Sequence, residues 1–240
     1  MSGLIKTRYT VKTRGRADFR AAVISDTHEA VPDEILMLTR AMAPDVIFLA
    51  GDITEAKTVR SAQRHESGVG AERSVRLITE LCRIAPVYYG LGNHESNLTR
   101  NQRDMISMTG VHLLVDRFER LRLRGCDIAV GAVSPWGTNT QRMLNDFRRQ
   151  AAYRILICHR PEEYMERYRS KFDDIALAGH AHGGQWRIFG QGIYAPGQGL
   201  FPKYTKGFYG NLLVSAGAHN SEVIPRINDP CEILEVNFVR

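Results

Sequence analysis

The sequence contains five short apolar runs, each of which is followed at once by polar side chains that can bind a metal ion. In chain order these polar residues are Asp26 and His28, Asp52, Asn93 and His94, His159, and His180 and His182. Taken alone, each block has a commoner explanation, such as a helix cap or a turn. Because open α/β sheets bind ligands at the carboxyl ends of their strands, the five blocks together predict one site.

The donor atoms in these blocks indicate which ions would bind there. Carboxylate and amide oxygens combined with imidazole nitrogens, without a thiolate, suit Mn²⁺, Fe, Zn²⁺ or Co²⁺ better than Mg²⁺ or Ca²⁺. The ligands are too many for one ion and fit two ions that share a carboxylate, about 3.5–4 Å apart. Glycines precede Asp52, Asn93 and His180, which lets the chain turn sharply and lets a substrate come close.

The apolar runs also predict the fold. The predicted strands cover residues 19–25, 46–50, 86–91, 127–133, 154–158, 174–178, 212–215 and 232–238. Amphipathic patterns predict helices at residues 32–43 and 71–84, and this alternation indicates βαβ units with a parallel sheet. The Gly-rich and aromatic sequence after residue 185 predicts a second, more antiparallel sheet. We therefore expect an α/β fold in which two mixed sheets pack as a sandwich flanked by helices.

The composition is that of a globular protein. The chain has 240 residues, of which 43% are hydrophobic and 24% charged, and it suits one domain over residues 1–240. A formal net charge of +6 favours anionic partners, although charge alone is weak evidence. The four cysteines form no CxxC pair and are interpreted as reduced core residues. The lack of a secretory signal and of a long apolar stretch predicts a cytoplasmic protein without a membrane span.

The ordered set Asp-x-His, Gly-Asp, Gly-Asn-His-Glu, His and Gly-His-x-His resembles the calcineurin-like metallophosphoesterase superfamily. The resemblance covers about residues 19–219, and the end of the last block is similar to a bacterial, phosphodiesterase-like branch. It implies a shared carboxylate between two metal sites, with Asp26, His28 and His182 at the first metal, Asp52 as the bridge, and Asn93, His159 and His180 at the second.

The resemblance further implies hydrolysis of a phosphodiester or phosphomonoester by a metal-bridging hydroxide. Two cations lower the pKa of a shared water and offset the charge of the transition state. His94 is then placed beside the scissile phosphate, where an imidazole stabilises charge or protonates the leaving oxygen. Arg160 directly follows His159 and is a weaker candidate for contact with the phosphate, since an Arg before a proline is commonly just exposed.

Two other functions remain open at this point. A nuclease on the same scaffold would bind nucleic acid with strong salt dependence, but the sequence lacks an extended Lys/Arg run. A non-catalytic, metal-stabilised interaction module would usually lack a ligand or the equivalent of His94, and all are present. The basic residues 53–70 fit a solvated insertion or a substrate loop, and the aromatic residues 201–209 fit hairpin packing or base stacking.

Overall fold

Two six-stranded sheets pack face to face in the computed structural model, which describes residues 3–29, 32–55, 69–170, 173–220 and 225–240. The first sheet contains, in spatial order, β1 (Ile5–Lys12), β16 (Glu232–Val239), β2 (Phe19–Ile24), β3 (Val46–Ala50), β4 (Val87–Gly90) and β5 (His112–Leu114). Only the β16–β2 pair of this sheet is antiparallel.

The second sheet is also mixed. Its strands in spatial order are β14 (Gly207–Tyr209), β15 (Leu212–Val214), β9 (Ile175–Ala178), β8 (Tyr153–Ile157), β7 (Cys126–Ala132) and β6 (Arg117–Leu123). The two edge pairs are antiparallel and the three inner pairs are parallel. Inner strands that are covered on both faces explain the continuously apolar runs in the sequence.

Helices cover the outer faces of the sandwich. They are α1 (Pro32–Met42), α2 (Val69–Cys82), α3 (Arg100–Ser107), α4 (Thr140–Arg148) and α5 (Pro161–Glu163), which continues as a π-helical turn over Tyr164–Tyr168. The first two pack on the first sheet, while α4 and the π-helical turn pack on the second. Within the described residues, no helix is long and apolar enough to cross a membrane.

The expected α/β sandwich is confirmed, and all eight predicted strands and both predicted helices are present within a few residues. The expectation that the second sheet begins after residue 185 is wrong. Residues 117–178 already supply four of its strands, and β16 joins the first sheet instead. A continuously apolar run indicates a strand covered on both faces but does not show which sheet the strand joins, which explains the error.

Residues 185–201 form two small hairpins outside both sheets. The first hairpin pairs β10 (Arg187–Ile188) with β11 (Gln191–Gly192), and the second pairs β12 (Tyr194–Ala195) with β13 (Gly199–Leu200). The aromatic residues that follow are engaged in ring contacts, Phe208 with Tyr9 at 5.4 Å and Tyr204 with Tyr209 at 5.2 Å between centroids. These contacts support the hairpin-packing interpretation of residues 201–209.

Candidate metal centre

The polar blocks of both sheets meet in one place because the loops at the carboxyl ends of their inner strands contact one another. Asp26 follows β2 and His180 follows β9, and the N–H of His180 donates to Oδ1 of Asp26 at 3.0 Å. Within the first sheet, the N–H of Asp26 donates to the Gly51 carbonyl at 3.0 Å. These bonds fix the loops after three strands relative to one another.

One group of potential ligands consists of Asp26, His28 and His182. Their donor atoms all lie within 4.8 Å of one another, which is close enough for a single ion to contact all three. Nε2 of His182 lies 3.8 Å from Oδ1 of Asp26, and the His28 and His182 rings stack at 5.3 Å. All three side chains are buried.

A second group consists of Asp52, His159 and His180, again within 4.8 Å and buried. Nε2 of His159 lies 2.9 Å from Oδ2 of Asp52 and 4.0 Å from Oδ1 of Asp26, so the two groups adjoin. Asn93 lies on the loop after β4, and the next residue, His94, donates its N–H to Oδ1 of Asp52 at 2.8 Å.

Several polar atoms of these groups are buried without a hydrogen-bond partner. They are Nε2 of His28, Oδ2 of Asp52, Oδ1 of Asn93 and Nε2 of His159. Two of these atoms, Nε2 of His159 and Oδ2 of Asp52, lie 2.9 Å apart. Buried polar atoms are costly when unpaired, and metal coordination would satisfy all four. The donor set therefore fits divalent cations.

The backbone of the candidate ligands is strained in a consistent way. Left-handed φ angles occur at five of them, which are Asp26 (52°), His28 (43°), Asp52 (54°), His180 (67°) and His182 (45°). Such conformations are uncommon for residues other than glycine and concentrate at functional sites. A Cβ on Gly92 would overlap the Asp52 carboxylate, and one on Gly179 would overlap Asp26. These two glycines therefore leave room for carboxylates of the cluster itself, and their predicted contact with a substrate stays a prediction.

His159 and His180 are held in different ways. Nδ1 of His159 lies 2.7 Å from the Ala50 carbonyl, a contact that leaves Nε2 free to face the cluster, as in many metal sites. Burial, the charge on His159 and, as a smaller cause, Arg160 lower the pKa of His180 to about 3. A neutral His180 is the form that can bind a cation.

His94 is placed differently from the seven candidate ligands. Its side chain is 41% exposed, its ring meets His28 edge to face at 4.7 Å, and its Nε2 lies 3.9 Å from Oδ2 of Asp52. It also forms a third group of potential ligands with His28 and Asp52. A hydrogen bond to Glu55 is the main cause that raises the pKa of His94 to about 9.

Glu55 was missed in the sequence, although it lies only three residues after Asp52. Its two carboxylate oxygens contact two imidazoles, with Oε1 2.6 Å from Nδ1 of His28 and Oε2 2.8 Å from Nδ1 of His94. Both contacts leave the Nε2 atoms directed toward the cluster, which is the usual arrangement around metal-bound histidines. The hydrogen bonds from the two imidazoles outweigh burial and lower the pKa of Glu55 to about 2.

Glu95, the last residue of the Gly-Asn-His-Glu block, was also given no role. It is 2% exposed, and its carboxylate accepts five hydrogen bonds of 2.6–3.0 Å, from the N–H groups of Asp52, Ile53, Thr54 and Gly92 and the hydroxyl of Tyr89. The carboxylate thus ties the loop after β3 to the loop after β4. Burial and the Asp52 charge raise the pKa of Glu95, whereas the donated bonds oppose this shift.

Arg226 is a third residue that the sequence did not single out. Its side chain is 3% exposed, and one terminal nitrogen lies 3.1 Å from Nδ1 of His182 and 3.0 Å from the His219 carbonyl. An arginine only donates hydrogen bonds, so Nδ1 of His182 must accept here. This partner is unusual, because the second nitrogen of a metal-bound histidine usually donates to an oxygen.

Arg160 and the basic residues 53–70 were also considered as possible substrate contacts in the sequence. Arg160 is the N-cap residue of α5, although its side chain forms no capping hydrogen bond. It is half-buried, its Nε is buried without a hydrogen-bond partner, and its charge is a minor cause of the lowered pKa of His180. Residues 56–68 of the basic segment lie outside the described residues.

The four cysteines are free thiols, with Cys126 and Cys158 buried and the other two half-buried.

Comparison with known proteins identifies the family of this chain. Residues 19–191 match the family model described as calcineurin-like phosphoesterase. The chain belongs to the calcineurin-like phosphoesterase family. This confirms the resemblance in the ordered blocks and makes the protein a member of a metal-dependent hydrolase family that acts on phosphate esters.

The individual proteins that resemble this chain share only part of its sequence. The uncharacterized protein YpbG of Bacillus subtilis (strain 168) is 26% identical over 197 residues, which cover 78% of this chain and 70% of that protein. The crystal structure of TT1561 from Thermus thermophilus has a TM-score of 0.47 at 10% identity and covers 68% of this chain and 82% of that one. An archaeal phosphodiesterase has a TM-score of 0.38 at 10% identity and covers 81% of both chains.

Proposed function

We propose that this phosphoesterase hydrolyses a phosphodiester or phosphomonoester with two divalent ions, of Mn, Fe, Zn or Co. The observation that carries the proposal is the pair of adjoining buried groups, which meet where His159 approaches both Asp52 and Asp26. Each group has enough donors for one ion, and the unpaired buried atoms at their junction need partners. Two bound cations would supply Lewis acidity and a water of lowered pKa.

The seven ligands would divide between the two ions with one shared carboxylate. In this assignment Asp26, His28 and His182 hold the first ion, Asp52 is shared, and Asn93, His159 and His180 hold the second. Asp52 suits the shared position because its Oδ1 already accepts from the His94 N–H while its Oδ2 is buried and unpaired. The proposal treats residues 1–240 as one metallophosphoesterase domain, since β1 and β16 bring both chain ends into the first sheet.

His94 would contact the substrate rather than a metal. It is the most exposed imidazole of the cluster, and in the metal-free protein its pKa is raised to about 9, so that it carries a proton there at neutral pH. A protonated imidazole can stabilise charge on a transferring phosphoryl group or protonate the leaving oxygen. Glu55 would keep this ring oriented through its bond to Nδ1. Arg160, which directly follows His159 in the chain, is a second candidate for contact with the phosphate.

Metal analysis combined with an assay on simple esters tests the proposal. Metal-free protein is reconstituted with Mn²⁺ or Zn²⁺, its ions are counted by elemental analysis, and chromogenic mono- and diesters are offered as substrates. We expect two ions per chain and hydrolysis that requires them. His112→Asn is a matched control, because His112 pairs with Glu119 outside the cluster. One ion or none in the intact protein would contradict the two-metal assignment.

A further inference from the structure

The two hairpins formed by residues 185–201, here called the hairpin lobe, expose an unusual amount of apolar surface. Among the described residues, fourteen large hydrophobic side chains are exposed, and six of them lie in this short segment. These six are Trp186, Ile188, Phe189, Tyr194, Leu200 and Phe201. Single exposed apolar residues are ordinary, but a concentration of this kind marks an interaction surface.

Two phenylalanines of the lobe are exposed at a cost to the backbone. Phe189 lies at the turn of the first hairpin with φ 48° and is fully exposed, and Phe201 follows the second hairpin with φ 51° and is 70% exposed. Tight turns with positive φ favour Gly, Asn and Asp, and a bulky side chain there is an outlier. Neither local conformation nor core packing accounts for these rings, so contact with a partner is the better explanation.

Three other apolar side chains of the lobe have defined surroundings. The indole N–H of Trp186 donates to the Pro225 carbonyl at 2.9 Å, which holds the ring in place while it remains 41% exposed. Trp186, Tyr194 and Leu200 line a small apolar cavity of about 210 Å³ together with Gln185 and Ile193. Trp and Tyr are the residues enriched at the boundary between lipid and water.

The charge of this part of the chain is one-sided. The sequence from residue 175 to 220 contains no Asp or Glu, but it contains Arg187, Lys203 and Lys206. Lys206 pairs with Glu232 at 2.8 Å, whereas Lys203 is exposed beside the Tyr204 ring. Arg187 donates to the carbonyls of Gly183 and Gly190, and its charge also acts on the carboxylate of Asp229. Lys203 therefore supplies an exposed positive charge beside the apolar surface, which complements an anionic partner.

We propose that the hairpin lobe is a docking surface for an anionic phospholipid bilayer. Phe189 and Phe201 would enter the boundary between head groups and acyl chains, while Lys203 would meet lipid phosphates. Aromatic and apolar side chains combined with basic residues are what interfacial membrane binding requires. A second copy of this chain is a poorer partner, because a two-fold contact through the lobe would bring like charges together.

The lobe adjoins the candidate metal centre. It begins three residues after His182, and a Cβ on Gly197 of the second hairpin would lie 2.5 Å from Oε1 of Glu162 and 3.1 Å from Nε2 of His180. Docking would thus bring the metal centre to the bilayer surface, a consequence that rests on the proposed function. The docking itself needs neither metal nor substrate and can be tested separately.

Vesicle co-sedimentation of the 240-residue chain tests the proposal. The vesicles contain phosphatidylcholine alone or with a quarter of phosphatidylglycerol. The double variant Phe189→Gly, Phe201→Gly removes both rings and suits the left-handed backbone, so we expect it to fold. We expect the wild type to bind the anionic vesicles and the double variant to bind about tenfold or more weakly, since burying one phenyl side chain is worth at least that factor.

Two controls make the outcome specific. Met108→Ser removes a side chain that is 86% exposed but lies outside the lobe, and it should leave binding unchanged. Lys203→Gln should reduce the preference for anionic over neutral vesicles. Equal binding by wild type and double variant, or no binding by the wild type, would overturn the proposal. A wild-type dimer that the double variant converts to monomer without any vesicle binding would assign the lobe to self-association instead.

Failure of this proposal is distinguishable from failure of the proposed function. The double variant should hydrolyse a water-soluble chromogenic ester at the wild-type rate, because neither phenylalanine belongs to the metal groups. Loss of vesicle binding with an unchanged rate supports docking through the lobe. A wild-type protein that binds vesicles but hydrolyses no ester would leave the docking surface intact and contradict only the phosphoesterase assignment.

Discussion

Oε2 of Glu55 lies 2.8 Å from Nδ1 of His94 at the edge of the candidate metal centre. The other oxygen of the same carboxylate lies 2.6 Å from Nδ1 of His28. One side chain therefore orients an imidazole proposed to bind a metal and another proposed to contact the substrate. Because a carboxylate stabilises the protonated form of an imidazole, the same contact sets the charge of His94.

Glu55→Gln should lower the pKa of His94 from about 9 toward its ordinary value of 6.5, since the hydrogen bond to Glu55 is the main cause of the raised pKa. An NMR titration of the imidazole protons in metal-free protein measures this. The bond stabilises the fold below the ordinary pKa, and its contribution is lost as the pH rises through about 9. Glu119→Gln, which removes the partner of His112, should leave the pKa of His94 unchanged. An unchanged pKa of His94 in Glu55→Gln would contradict the proposed coupling between Glu55 and His94.

Glu95→Gln should destabilise the fold, because a carboxamide has one acceptor oxygen where the carboxylate has two. An NH₂ group in the place of Oε2 would face the N–H groups of Asp52 and Gly92, which now donate to that oxygen. In the place of Oε1 it would face the N–H groups of Ile53 and Thr54. Buried donors left without a partner cost about 1–3 kcal/mol. Urea unfolding at neutral pH measures the change. Glu80→Gln, which breaks only surface pairs, is the matched control and should cost far less.

The sequence predicted the inner strands of both sheets because they are continuously apolar, and it placed the metal-competent residues because they follow those strands. The edge strands β1 and β6 were missed, since their alternating polar residues leave one face open and no apolar run marks them. Helix α3 was missed although Thr99 and Gln102 form a capping box at its start, a signal that the sequence does contain.

The residues that contact the candidate ligands or hold their loops were harder to predict than the ligands themselves. Glu55 and Glu95 lie beside predicted ligands in the chain, but their roles depend on which backbone groups and imidazoles the fold brings to them. Arg226 lies 44 residues from its partner His182, and no local pattern links the two. Sequence periodicity predicts which strand end a residue occupies, whereas these contacts depend on how two separate sheets converge.

Arg226→Gln should strengthen binding of one of the two ions. The contact between Arg226 and Nδ1 of His182 requires the proton of a neutral ring to reside on Nε2, the atom that faces Asp26. Metal binding through Nε2 requires that proton to leave, so Arg226 competes with the first ion. We expect two unequal dissociation constants in calorimetric titration with Mn²⁺, and a smaller difference in the variant. If the two dissociation constants of the variant equal those of the wild type, this competition is contradicted.

Asp52→Asn should weaken both metal sites, because the proposed shared carboxylate offsets the charge of two cations at once. Elemental analysis should show fewer ions per chain, and hydrolysis should fall by orders of magnitude. The N–H of His94 would lose a charged acceptor as well, since it now donates to Oδ1 of Asp52. Full metal content and full rate in this variant would show that Asp52 is not shared between the ions.

His94→Asn separates catalysis from metal binding. The His94 side chain is 41% exposed, while the candidate ligand His28 beside it is buried at 3%. If His94 contacts the substrate, the variant should fold, keep both ions and lose roughly 10²–10⁴ in kcat, which is the usual range for a positioned acid. Elemental analysis and steady-state kinetics on the same preparation measure the two effects. Loss of an ion would instead assign His94 to the group it forms with His28 and Asp52.

The dependence of the rate on the leaving group distinguishes the two roles proposed for His94. A nitrophenolate departs without a proton, whereas an alkoxide needs one, so a general acid matters mainly for alkyl esters. A His94→Asn variant that loses far more rate on alkyl esters than on nitrophenyl esters therefore acts through lost proton donation. A uniform loss across both series would identify charge stabilisation of the transferring phosphoryl group. Unchanged rates on both series would remove His94 from the reaction and leave Glu55 as a support for His28 alone.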